Sequence, residues 1–570
     1  MGTGEVPADV VHKLDQLYEF ERAPVTPDRL QPPSYFAGLF AGEHVAATEF
    51  VIGALLVSFG ASARDIVLGL LVGNLLAVLS WTFVCAPIAV RTRLTLYWYL
   101  RRIAGPGVTL LYNLCNAVMY CILAGAMITV SASAVRLPFG IPPQTKWYPE
   151  DARFVLVVLV VGAVVVTLAI LGFRRLAQFA VVCSPWMFLM FVAGAVVTLP
   201  ALAPVLPHGR IASPGDLWTI ASEAVWTGTP AGGGTALGFW HVASFAWVCN
   251  LAMHVGLSDM ALFRFAARAR YGLFSAFGML LGHYLAWICA GVMGAGAAFV
   301  ARRPLAQFDS GEVAFGALGV SGALAVVIAG WTTSNPTLYR AGLALQVVTP
   351  NWPRWLVTAL AGGVTTLVAC SPFVFTRLLD FVGVYGLLLM PVGAVVFVEH
   401  WVFPRLGWTQ YWASRKGLVV SWPALVAWVG SVVLGVALWQ TGVLHLFFLA
   451  APVWLVAALV YIALAGMAGA REPLPAEAAA PPPAGGPVAG APAAGSPASP
   501  AGSGWLLSGA VALLALAGCL LLPFWVYAAP AAEHASRLAT FKGWLLALTV
   551  VYFLAGVAWM GANEKRRRGA

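Results

Sequence analysis

The residues with the most chemistry to offer lie in one apolar stretch. Phe36–Gly60 reads FAGLFAGEHVAATEFVIGALLVSFG. A bilayer is crossed by roughly 20 apolar residues in a helix, and this run is about that length. Yet it carries Gly38, Gly42, Glu43, His44, Thr48 and Glu49. Carboxylates and an imidazole inside such a span face a protein interior or a water-filled pathway, because lipid solvates neither. Gly42 beside Glu43 is where the helix is expected to open, and open backbone at membrane depth is tolerated only at a cavity. The competing reading places Glu43 and His44 at the membrane surface, in water, with the span starting at Ala46.

Three further places break the apolar pattern. GFWHVASFAWVCNLAMHVGLSD holds Ser244, Trp247, Asn250, His254 and Asp259. GWTTSNPTLYRAGL crowds Thr332, Thr333, Ser334, Asn335 and Thr337 around Pro336, where a helix is expected to break. Asn113, Asn116 and Tyr120 recur at helical spacing. Hydroxyls such as Thr332 and Thr333 suit a hard cation such as sodium. An aromatic such as Tyr120 or Trp247 suits a flat or cationic solute. Plainer readings exist for each. Trp247 also reads as packing, and Ser/Thr clusters bond their own helix backbone. Asp259 reads as a helix-end residue at the cytoplasmic face, and His241, His254 and His283 as local hydrogen-bonders. No Ser–His–Asp set, HExxH, Walker loop or nucleotide-type GxGxxG occurs, so an enzyme is not expected.

The elements that must position these groups follow from composition. The 570 residues are 61% hydrophobic and 9% charged, against about 25% charged in soluble domains. This is an all-α polytopic membrane protein, since barrel strands would alternate. The net charge of +10 falls in short loops between spans, where membrane topology explains it and nucleic acid does not. The eight cysteines form no CxxC pair, so no metal site is expected, and they read as small packing residues.

About 14 spans are expected. Residues 1–35 form a polar N-terminal arm with a short helix at Asp9–Glu21 and no cleavable signal pattern. Spans 1–10 occupy 36–403, with span 5 interrupted at Ser184–Pro185 and a long loop at Pro200–Gly234. Spans 11 and 12 occupy 404–471. Glu472–Ser503 is Pro/Ala/Gly-rich and reads as a disordered linker. Two further spans fill 504–562, before a basic tail at 563–570. Lys and Arg distribute so that both termini are cytoplasmic, which places the chain in a plasma (inner) membrane. Spans 1 and 6 both carry polar interruptions at corresponding positions of two halves, the sequence pointer to an inverted-repeat transport site.

In several segments, in order, the chain resembles the nucleobase–cation symporter family of cytosine, hydantoin and allantoin permeases. LFAGEHVAATEFVIGALLVSFG with Gly73–Asn74, the loop RRIAGPG, SDMALFRFA, TLYRAGL and MPVGAVVFVEHWVF carry the likeness. It implies a leucine-transporter-like fold with five-helix inverted repeats, alternating access, and a substrate site between spans 1, 3, 6 and 8. It places Tyr120 as the substrate aromatic, Ala124 where an amide is common, and Asn250 near a substrate contact. Thr337 stands where the family has asparagine, and Thr332 is the retained member of a sodium-binding pair.

The expectation is therefore a secondary transporter of a small polar heterocycle, such as a nucleobase or a relative, in a lipid bilayer. Gly42, Glu43, Tyr120, Trp247, Asn250 and Thr337 would contact substrate. Glu43, Thr332 and Thr333 would hold a coupling proton or sodium ion, with no other cofactor. Glu43 would take up a proton or pair with a cationic solute. A sensor or scaffold that keeps the fold without transport is the alternative.

Overall fold

The computed structural model describes residues 20–144, 146–349, 351–372, 377–472 and 503–568. The expected helix at Asp9–Glu21 lies almost wholly outside the described residues, as does the linker apart from its end residues. The chain is helical throughout and follows the expected order of spans. α1 is two pieces, α1a (Pro33–His44) and α1b (Thr48–Ser58), bent by 49°. Then come α2 (Ala63–Thr92), α3 (Leu96–Val135), α4 (Ala152–Ile170) and α5 (Phe173–Leu202). α6 is again two pieces, α6a (Phe239–Val248) and α6b (Leu251–His254). α7 (Ala269–Ala301), α8 (Val320–Val348), α9 (Arg354–Ala369) and α10 (Leu378–Leu406) complete two five-helix halves, each opening on a broken helix. α11 (Trp422–Gln440), α12 (Ala450–Ala470), α13 (Ser503–Tyr527) and α14 (His534–Arg568) follow.

Among the described residues, ten helices are long and apolar enough to cross a membrane, eleven if the α1 pair is one span. The other three of the fourteen are α6, which is broken, α8, which is polar at its centre, and α9, which is 16 residues long. Leu156, Val160, Leu367 and Leu514 are all more than half exposed. Such an outward apolar surface is stable only in lipid, so this is an integral membrane protein.

Local signals fix several boundaries. Ser62, Thr95 and Asp151 cap α2, α3 and α4 through their side chains, as short polar residues do at N-termini. In the long loop, Ser213 and Asp216 form a reciprocal capping box that starts a short helix, Pro214–Ile220. α3 packs along α8, α1a against α5, α1b against α7, and α2 against α6a.

The structure corrects four details. α1 opens at Val45–Ala47 and not at Gly42, which stays helical. Gly42 serves instead as a close-approach point: a Cβ there would stand 2.9 Å from that of Ala180 on α5. α8 runs unbroken through Pro336, and its break falls earlier, at Gly319 (φ 63°), after the short helix Ser310–Leu318. The hydroxyls of Thr333, Ser334 and Thr337 bond carbonyls four residues back, which helps the helix absorb the proline. α5 likewise continues through Pro185. Asp259 is not at a solvated helix end but fully buried.

Glycine also lets α7 cross the opening in α1. A Cβ on Gly282 would overlap the His44 carbonyl, and backbone there has nowhere to move. Gly282→Ala should destabilise the protein by about 1–3 kcal/mol, the usual overpacking penalty. Gly316→Ala, which meets open space, should be neutral or stabilising. Thermal melting of the two detergent-purified variants checks this, and equal melting temperatures would contradict it.

Candidate functional site

The openings in α1 and α6 meet at one enclosed cavity. α1 has non-helical backbone at Val45–Ala47, and α6 loses its helix between Val248 and Leu251. Ala46 from the first opening and Cys249 and Asn250 from the second line the same space. Polar side chains join them: Glu43, His44, Thr48 and Glu49 from α1, His283 from α7, and Thr333 and Thr337 from α8. Leu123 and Met127 of α3 and Leu378 and Val382 of α10 close the apolar side.

The volume is about 40 Å³. Pockets that enclose drug-sized ligands measure about 300–1,000 Å³, whereas a water's share of liquid is about 30 Å³. The cavity in this state therefore fits an ion or water and is too small for a drug-sized ring.

Below the cavity lies a buried charge cluster. Arg340 of α8 is completely buried and sits between two carboxylates. Its Nη1 and Nη2 donate to Glu43 Oε1 and Oε2 at 2.5 and 3.0 Å. Its Nε and Nη2 both donate to Asp259 Oδ1, at 2.9 and 2.5 Å. Trp81 Nε1 of α2 donates to Asp259 Oδ2 at 2.6 Å. The guanidinium also stands 5.9 Å from the Tyr120 ring. A planar guanidinium with five N–H groups is the side chain suited to holding two carboxylates in fixed geometry. The cluster ties α1a and the segment after α6b to α8. Glu43 is only 2% exposed, which overturns the surface reading. Its cation is one the protein supplies.

Oxygens gather on the other side of the α1 opening. Thr333 Oγ1 donates to the Glu43 carbonyl at 2.8 Å and to the Ala329 carbonyl at 3.0 Å. Thr332 Oγ1 donates to the same Ala329 carbonyl at 3.0 Å. The break frees the Glu43 carbonyl from the helix ladder. Thr333 joins the Glu43 and Ala329 carbonyls, and Thr332 shares the latter; hydroxyl and carbonyl oxygens are the donors a hard cation prefers.

A third group surrounds Glu49. Its carboxylate accepts from Trp287 Nε1 and stands 3.6 Å from His283 Nε2. Asn250 Nδ2 lies 3.4 Å from His283 Nδ1, and the His283 ring stacks on Trp287 with centroids 4.4 Å apart. His44 meets His283 edge-on at 5.1 Å and bonds the Phe40 carbonyl through Nδ1 at 2.9 Å. Its buried Nε2 has no hydrogen-bond partner among the described residues.

Of the residues expected to bind substrate or a coupling ion, Glu43, Asn250, Thr333 and Thr337 come together at the cavity. The others stand outside its lining. Gly42 packs on α5. Tyr120 reaches Ser258 and Tyr385 beside Arg340. Trp247 donates from its ring to Ser80 at 3.1 Å. Thr332 faces Met187. Sequence reasoning missed Arg340, the charge-cluster role of Asp259, and the Glu49–His283–Trp287 group. Arg340 was detectable as the sole charge in Val320–Val348, since a lone charge in a membrane helix requires a partner. No group of three or more His, Cys, Asp or Glu able to hold a metal occurs among the described residues.

No protein-family model matches the chain, and no curated protein sequence does. Solved structures do match. Mhp1, described as a nucleobase-cation-symport-1 family transporter in a closed conformation with bromovinylhydantoin bound, aligns at a TM-score of 0.61 and 15% identity, over 81% of this chain and 98% of its own. A Na⁺-coupled sialic acid symporter, substrate-bound and outward-open, aligns at 0.57 and 13% identity, over 82% and 98%. These likenesses show the fold, which is leucine-transporter-like with additional helices at the C-terminal side.

Removing one member of the charge cluster strands the others. Arg340→Met should cost roughly 3–5 kcal/mol, the penalty for an uncompensated buried charge. The triple variant Arg340→Met, Glu43→Gln, Asp259→Asn should recover most of it. Unfolding curves in detergent decide, and a single variant as stable as the wild type would show the cluster to be unimportant.

Proposed function

We infer that the protein is a secondary active transporter that moves a small polar heterocycle across the membrane by alternating access. The observation that carries this reading is the meeting of two broken helices at one buried cavity that has polar groups in an otherwise apolar wall. Broken helices leave carbonyls and N–H groups free at mid-membrane, where only a bound solute or ion makes use of them.

The lining suits a ring bearing N–H groups. Asn250 offers an acceptor and donors, and Thr337 offers a hydroxyl, with Leu123 and Met127 as the apolar wall. Nucleobases and hydantoins have this chemistry, and hydantoin is the ligand class in the Mhp1 structure. Glu43 contributes its backbone carbonyl to the site, because its side chain is committed to Arg340. Thr332, Thr333 and the carbonyls of Glu43 and Ala329 fit a sodium ion, which would lie between α1 and α8 and supply the driving gradient. Both termini face the cytoplasm in this arrangement, with basic loops retained on that side.

Purified protein in proteoliposomes should accumulate radiolabelled uracil, cytosine, allantoin or hydantoin under an inward sodium gradient. Thr333→Val should weaken the sodium dependence by at least about tenfold, the equivalent of roughly 1.4 kcal/mol of lost ion affinity. Binding of any of these rings without flux would favour the sensor alternative. Accumulation indifferent to sodium would remove the cation from the account.

A further inference from the structure

Glu49 is a buried carboxylate with no arginine or lysine among the described residues paired to it, and it faces the cavity. It is 2% exposed. In contrast, Arg340 compensates Glu43 and Asp259, and Arg136 compensates Asp309 at 2.5 Å. Glu399 is also buried, but it is enclosed by the Tyr411 amide and the Tyr461 hydroxyl and does not line the cavity. An anion taken out of water needs a positive charge or a proton.

The surroundings of Glu49 indicate which. Three groups directed at its carboxylate are nitrogens: Trp287 Nε1, the Ala46 backbone N–H, and His283 Nε2 at 3.6 Å. With the Asn250 amide donating to Nδ1, His283 turns its Nε2–H toward Glu49 Oε1. Nitrogen donors are the wrong shell for an alkali cation, which takes oxygens. They leave the carboxyl group to gain and lose a proton beside a neutral imidazole.

The elements packed around Glu49 carry few titratable groups. α7 contributes His283 and, further along, Cys289. α6 contributes Cys249 at the opening and His254, whose Nε2 is bonded to the Trp247 carbonyl at 3.0 Å. α1a contributes His44. The short helix Ser310–Leu318 contributes Glu312, which faces Arg136 and Arg303 at 3.4 and 3.7 Å. None is an arginine or lysine directed at Glu49.

From this geometry we propose that Glu49 and His283 form a proton seat separate from the sodium site, and that the transport cycle carries one proton there. The proposal rests on the transport reading above for its role in flux, but not for the seat itself. With His283 neutral and carrying its own proton on Nε2, one further proton on the Glu49 carboxyl makes the pair neutral, and its release to the open side leaves the pair with one negative charge. No bond other than O–H or N–H forms or breaks.

Two measurements on the full chain test it. Infrared difference spectra across a pH titration, without any solute, should show the carbonyl stretch of a protonated carboxyl group. Glu49→Gln should abolish that band, while Glu43→Gln keeps it. Trp287→Phe should shift its frequency by removing the N–H on Oε2, which decides the matter if Glu49→Gln fails to fold. In proteoliposomes, an inward proton gradient should stimulate wild-type uptake several-fold, and Glu49→Gln should lose that stimulation while responding to sodium. A carboxyl band that survives Glu49→Gln, or one unmoved by Trp287→Phe, overturns the seat. So does proton stimulation that persists in Glu49→Gln. A wild type that moves no solute but shows the Glu49 band removes the transport reading and supports the seat.

Discussion

Arg340 holds the molecule together where it is most exposed to failure. Two broken helices leave gaps in the backbone ladder at the centre of a membrane protein, and neither α1a nor α6b could stay docked by its own hydrogen bonds. A completely buried guanidinium on the unbroken α8 binds Glu43 of α1a and Asp259 beyond α6b with four short contacts. It binds the two mobile halves to the same rigid rod. Because the pairing is electrostatic and enclosed, it is strong when all three groups are present and punishing when one is missing. The cluster lies on one side of the cavity, and Thr333 bridges α1 to α8 on another. The Glu49–Trp287–His283 group joins α1b to α7 on a third.

That arrangement explains the size of the cavity. Its walls come from α1, α3, α6, α7, α8 and α10, which at about 40 Å³ leave little space between them. In the proposed cycle, separating α1a and α6b from α8 would break the Arg340 contacts on one side, and moving α1b and α7 would open the other. A solute at Asn250 and Thr337 and an ion at Thr333 would both act on the same joint, so each would favour the arrangement the other requires.

Much of this was legible in the sequence. Long apolar runs fixed the number and order of helices, because hydropathy over 20 residues is insensitive to detail. Glu43 and Asn250 stood out because polar groups are rare in such runs. What escaped was three-dimensional. The opening in α1 falls three residues after Gly42 because Gly42 is needed for packing on Ala180, and a close approach leaves no trace in a single sequence. Pro336 suggested a break that hydroxyl bonding absorbs. Tyr120 and Trp247 stand outside the cavity lining in this state, against Tyr385 and Ser80. Asp259 looked terminal because its partners, Arg340 and Trp81, lie 81 and 178 positions away in the chain.

The central claim is that the cavity opens to each side of the membrane in turn, and native Cys249 in its wall can report this. In a variant whose other seven cysteines are replaced, a membrane-impermeant thiol reagent should reach Cys249 from the outside in high sodium and from the inside without it. A Cys249 that is modified from one side only, whatever the sodium concentration, would show a fixed vestibule in place of an alternating one.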